Sequence, residues 1–175
     1  KQSCNGDAQA AAIIAEAHRQ LALEIPNASI MSTQGIEHLP SGFWCHYAYE
    51  NGYKIIGDYM FLLLNRDIRN LVNARNVESP QVTSIMQTAS NKLTWYFKNA
   101  ADTYIWEAGT EADFVIHGVN ATVTSGEVNG ASIVLTLNKN INVDTLSFYG
   151  HMVGGSPAIK NANGVGIVGF YKMLV

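Results

Sequence analysis

The 175-residue sequence predicts two unlike parts: a remnant of a doubly wound α/β domain, then an antiparallel β-sandwich. Three observations carry this expectation. Apolar residues recur at helical spacing in two stretches before residue 78. Short alternating segments replace them afterwards. Between the two helical stretches there is a single strand candidate, and a lone strand is no sheet, so the first part reads as the last helix–strand–helix unit of a larger layer. The division falls at residues 1–78 and 79–175.

Asp7 stands where an N-cap is wanted, and the helix after it runs to about Glu24. Ile13, Ile14, Ala17 and Leu21 share one face, with Glu16 and Arg19 turned away, so the isoleucine face is expected to meet the core. His18 on this helix reads as a surface or packing residue. Ile25-Pro26-Asn27 ends the helix, because proline disfavours helical backbone in the residue before it. Ser29 to Thr33 follows as a short strand, and a long loop then leads to Phe43-Trp44-Cys45-His46-Tyr47. Asn51-Gly52 opens a second helix, on which Ile56, Met60, Leu63, Leu64, Ile68 and Leu71 form a wide apolar stripe that needs cover. In doubly wound sheets the functional loops lie at the carboxyl ends of strands, the place Gln34 to Glu50 would take.

Val77-Glu78-Ser79-Pro80 reads as a linker. Beyond it, Leu93, Trp95 and Phe97 alternate with Thr94 and Tyr96 at the period of a half-buried strand. Tyr104 to Trp106, Phe114 to His117, Ala121 to Ser125, Ile133 to Leu137 and Leu146 to Tyr149 continue the series, separated by Gly-, Asn- and Asp-rich turns. The Gly-rich stretch from Gly154 to Gly169 reads as irregular structure before a last strand at Phe170 to Leu174. No helix is predicted after Arg75.

Composition narrows the function classes. Charged residues make up 14% of the chain, against roughly 25% in an ordinary domain, and the net charge is −3 with no basic run. Nucleic acid is therefore not an expected partner. The longest apolar run, Met60 to Leu64, is far shorter than the roughly 20 residues a membrane span requires, so no membrane partner is expected either. The chain opens on Lys1 rather than Met, which points to processing or a fragment. Cys4 and Cys45 are either one disulfide or two thiols. The five histidines lack the i, i+4 pairing of a helical metal site, and no cofactor is implied.

His46 is the leading candidate for chemistry. It lies late in a long loop and just ahead of a helix, a setting that suits a proton-transfer residue. The surrounding residues also resemble a family. Ala15-Glu16-Ala17-His18-Arg19-Gln20-Leu21-Ala22 is similar to a helix of pattern R-E-A-Q-x-x-L-A, and Ile25-Pro26-Asn27-Ala28 to the turn after it. Cys45-His46-Tyr47 with Gly52 to Met60 resembles a catalytic-histidine loop and its helix. Leu146 to Gly150, Pro157, Asn161 to Gly164 and Phe170 resemble the end of a C-terminal β-domain. Together, in this order, they resemble the sialate O-acetylesterase-like carbohydrate esterases of the SGNH hydrolase superfamily.

The resemblance implies an SGNH-type α/β domain and removal of O-acetyl groups from sialate or related sugars. A serine attacks, and the histidine, here His46, takes its proton and returns one to the leaving alkoxide. Two departures stand out. Many members carry Asp three residues before the histidine, where this chain has Phe43; a backbone carbonyl, a carboxylate such as Glu37, or nothing at all is left to orient the ring. No G-D-S or G-Q-S-N segment matches, and Ser3 precedes a helix that belongs late in such a domain. The resemblance thus implies a partner, the N-terminal portion of the same protein, bearing the serine and oxyanion donors. It also implies a secreted, periplasmic or lysosome-like setting. Trp44 and Tyr47 either stack on a sugar or pack the loop. His38 is the rival for the catalytic role, Glu37 otherwise reads as a solvated charge, and His117 and His151 read as surface or packing residues. The alternative function is a non-catalytic carbohydrate-binding or interaction module, which Phe43 favours; a structural β-rich surface or tail component leaves the His46 loop unexplained.

Overall fold

The computed structural model describes residues 7–39, 46–69, 76–99, 101–151 and 155–175. Cys4, Phe43, Trp44, Cys45 and Leu71 lie outside them. Helix α1 (Ala8–Glu24) starts where the sequence predicts: the Asp7 carboxylate accepts from the Ala10 N–H at 2.9 Å.

The face that α1 buries is not the expected one. Ala11, Ala12, Arg19 and Ala22 are buried, while Ile14 and Leu21 are 54% and 52% exposed. The alanine stripe lets the helix lie close to the strand at 170–174, which it crosses. Arg19 is drawn inward because its charge is met on both sides. Its guanidinium donates to the Val82 carbonyl at 2.8 Å and pairs with Glu16 at 2.7 Å.

Residues 28–33, expected to hold a strand at Ser29 to Thr33, form none. A strand needs a ladder, and here only isolated bonds hold the segment: the Ser79 N–H donates to the Ile30 carbonyl and the Ser32 N–H to the Ser79 hydroxyl. A π-helical turn, Tyr49–Tyr53, then leads into α2 (Lys54–Asp67). Among the described residues of the predicted stripe only Leu63 is buried, and Met60, Leu64 and Ile68 face outward.

Nine strands are present among the described residues: β1 (Val82–Ala89), β2 (Lys92–Phe97), β3 (Tyr104–Trp106), β4 (Phe114–His117), β5 (Val123–Asn129), β6 (Ser132–Leu137), β7 (Thr145–Phe148), β8 (Ile159–Asn161) and β9 (Phe170–Leu174). They form antiparallel sheets of order β1-β2-β6-β5 and β4-β7-β9, with a smaller β3-β8 pair. Among the described residues the chain is thus mostly antiparallel sheet with two α-helices. Trp95 of β2 is fully buried and bridges the two larger sheets, its ring 5.2 Å from Phe114 and Phe170 and 5.9 Å from Phe148. Inward residues of β2 and β6, Leu93, Ile133 and Leu135, complete this centre.

The stretch Val77-Glu78-Ser79-Pro80, expected as a linker, is packed: Val77, Ser79 and Pro80 are buried, and so is Gln81 after it. Gly126, expected in a turn, lies inside β5. A methyl there would fall 2.4 Å from the Trp106 ring, which lies over that glycine and stacks on Phe114 at 15°.

Candidate functional site

The candidate site grows from the run between the two helices. After residues 28–33, the chain turns at Gln34-Gly35, where the Ile36 N–H donates to the Thr33 carbonyl at 3.2 Å. Gly35 takes φ +79°, and its missing side chain leaves room for the Lys160 stem. The chain then doubles back on itself. His38 and Tyr47 form an antiparallel bridge, and the Leu39 N–H donates to the His46 carbonyl at 3.0 Å.

Successive residues of an extended segment point to opposite sides, which separates His46 from its neighbour. Tyr47 is 6% exposed and turns inward, edge-on to His38 at 4.8 Å and to Tyr53 at 5.6 Å. Burial pushes its phenol above the usual range. Gly52 makes this possible, because a methyl there would sit 2.4 Å from the Tyr47 Cβ. The Asn51-Gly52 helix-start signal therefore marks the packing of Tyr47 as well. Tyr47 packs the loop in this arrangement, and His46, on the opposite side, is exposed. Glu37 is exposed too, next to the Gly155 N–H that donates to the Ile36 carbonyl at 3.0 Å. His38, the rival, is buried under Tyr47.

Two polar pairs escaped sequence reasoning because their members meet only through strand register. His117 Nε2 lies 2.7 Å from the Ser147 hydroxyl, which also accepts from the Lys172 N–H at 2.8 Å. The tautomer of His117 decides which of the two donates, and burial together with the Lys172 charge holds His117 below its usual range. The geometry is that of a nucleophile and base, yet Ser147 is 0% exposed. Its hydroxyl closes the irregular β7–β9 register and offers nothing to a substrate. The second pair is Asp113 and His151, with Oδ1 3.7 Å from Nδ1. The other carboxylate oxygen of Asp113 is buried without a hydrogen bond. Burial pushes this acid up to about 6, against the opposing pull of His151 and with a further push from Glu111.

No protein-family model and no curated protein matches this sequence. Among solved structures, the chain is similar to a carbohydrate acetylesterase from Xanthomonas citri, with a TM-score of 0.57 at 10% identity. The likeness covers 78% of this chain and 30% of that one, so the chain corresponds to under a third of the esterase's length. An S-layer protein is matched at a TM-score of 0.40 with 13% identity, over 74% of this chain and 16% of that one. The fold thus resembles part of a carbohydrate esterase. His46 lies within the helical part of the chain, where large apolar side chains of both helices face outward. Among the described residues, no group of three or more His, Cys, Asp or Glu side chains could hold a metal ion, and no helix is long and apolar enough to cross a membrane.

Proposed function

We propose that this chain is the C-terminal portion of a carbohydrate O-acetylesterase acting on sialate or a related acetylated sugar. Residues 1–78 close an SGNH-type α/β layer, and residues 79–175 form its β-sandwich companion. The N-terminal portion of the same protein supplies the serine nucleophile and the oxyanion donors. His46 is the general base: its neutral imidazole accepts the serine proton during attack and returns a proton to the departing sugar alkoxide. Trp44 borders the sugar. Removal of acetyl groups from glycans places the protein in a secreted, periplasmic or lysosome-like setting.

The observation that carries this reading is the outward apolar surface of α1 and α2. Ile13, Ile14 and Leu21 on the first helix and Met60, Phe61, Leu64 and Ile68 on the second are all between 45% and 73% exposed. Full burial of such a side chain is worth about 1.5–3 kcal/mol, so covering these half-exposed ones gains on the order of 1 kcal/mol each. The sum approaches the whole stability of an ordinary domain, about 5–15 kcal/mol, and a surface of this size calls for a covering layer. That His46 is exposed in the same part of the chain supports giving it the proton-transfer role.

The test is to co-express the chain with the polypeptide that precedes it and to assay release of acetate from acetylated sugars. Hydrolysis by the pair, lost in His46→Ala while stability stays within about 0.5 kcal/mol, is the expected result for an exposed side chain. Retained turnover in His46→Ala removes that residue from the catalytic role. Tight sugar binding without hydrolysis selects the non-catalytic carbohydrate-binding module instead.

A further inference from the structure

We propose that Gln34 is the positioning residue through which the β-sandwich sets the placement of the His46 loop; the functional weight of this rests on His46 being the proton-transfer group. Gln34 reaches from the loop into the turn that follows β7. Its side-chain oxygen accepts from the His151 N–H at 3.1 Å, and its side-chain nitrogen donates to the Tyr149 carbonyl at 3.4 Å. Each of the two contacts uses one half of the carboxamide, which a carboxylate or a hydroxyl does not reproduce.

The slot exists only because two residues lack side chains. A Cβ on Gly150 would lie 1.8 Å from the Gln34 side-chain nitrogen, and one on Gly166 would lie 2.2 Å from the Gln34 carbonyl oxygen. Those glycines come from different stretches of the sandwich, so Gln34 is gripped by side chain and backbone at once. Two further contacts fasten the same loop: the Lys160 stem across Gly35, and the Gly155 N–H on the Ile36 carbonyl. From this anchor only four residues lead to His38, whose bridge with Tyr47 and the Leu39–His46 hydrogen bond transmit the placement to His46. The sandwich, on this account, is the jig for the loop and not an appendage.

Gln34→Met, which keeps the volume and removes both hydrogen bonds, tests this in the 175-residue chain. The NMR resonances of the His46 ring are expected to shift, while those of His117, at the far end of β4, stay fixed. Unchanged His46 resonances overturn the proposal. Equal movement of His117 also overturns it, since that means general loosening. Gln34→Glu, which keeps the shape and the acceptor for the His151 N–H but loses the donor to the Tyr149 carbonyl, is a milder second variant with the same expected signature, and serves if the first fails to fold. In the completed esterase, Gln34→Met lowers kcat about 10- to 100-fold and leaves KM within about twofold, the mark of a misplaced group rather than lost binding. A pair with no esterase activity removes the functional reading but leaves the NMR result to decide the anchor.

Discussion

Replacing Asp113 by asparagine removes a charge that the fold pays to bury. The native carboxyl has one oxygen 3.7 Å from His151 Nδ1 and the other buried without a hydrogen bond. Burial is the main reason its pKa rises from 3.8 to about 6, and His151 offsets only part of the rise. The folded chain therefore holds this proton more tightly than the unfolded chain does. The resulting stabilisation is complete below the unfolded value and is lost as pH rises through about 6. A shift of about two units at about 1.4 kcal/mol per unit makes the loss on the order of 3 kcal/mol. The asparagine side chain has no proton to release and keeps the shape, so Asp113→Asn lacks this loss. Urea unfolding of both proteins from about pH 4 to about pH 7.5 measures it. The variant and the native protein should agree within about 1 kcal/mol at the acid end, and the variant should be the more stable by about 1–3 kcal/mol at the neutral end, the lower figure reflecting lost attraction to His151. Comparing the two at each pH cancels the titration of groups that Asp113 does not touch, His151 being the one it pairs with. A difference that stays constant with pH, or a variant less stable than the native protein at neutral pH, refutes the reasoning.

Gly126→Ala forces a methyl against the Trp106 ring, which stacks on Phe114 behind it, and should cost about 1–3 kcal/mol by thermal or urea unfolding. Ser147→Ala removes the partner of His117 and of the Lys172 N–H; it should destabilise by about 1–3 kcal/mol while leaving acetyl-ester hydrolysis by the completed enzyme unchanged, which a parallel melt and acetate assay would check.

Much of the sandwich was legible because its strands announce themselves locally. β3, β4 and β9 fall at their predicted residues, and β2, β6 and β7 within one residue at each end. The two unpredicted strands fail for identifiable reasons. In β1 a register shift between Val82 and Ser84 puts Val82 and Ile85 inward, which breaks the alternation a reader looks for. β8 is three residues long and sits in a Gly-rich stretch, where composition speaks for irregular structure.

The helices teach a different lesson. The apolar periodicity of α1 is real, but periodicity names a face and not the neighbour that covers it. The sandwich takes the alanine and Arg19 side, leaving Ile13, Ile14 and Leu21 outward. The inward turn of Tyr47 followed from a glycine five residues later, a dependence no pairwise pattern encodes. Asp113 and His151, 38 positions apart, meet through the fold, with Phe114 opposite Phe148 in the ladder beside them.

The packed stretch Val77–Gln81 has a bearing on how this molecule could be taken apart. Ser79 grips residues 28–33 by two hydrogen bonds, Asn76 accepts from Asn161 at 2.7 Å, and the Lys98 N–H donates to the Gln81 carbonyl at 2.9 Å. Connections between modules that evolution shuffles are exposed and tied to neither side. This one is threaded through both. Excision at residue 78 would strip the sandwich of a structural strut, and a protease would find no foothold there until much else had come undone. The hydrogen bonds of this stretch tie the two parts of the chain to each other.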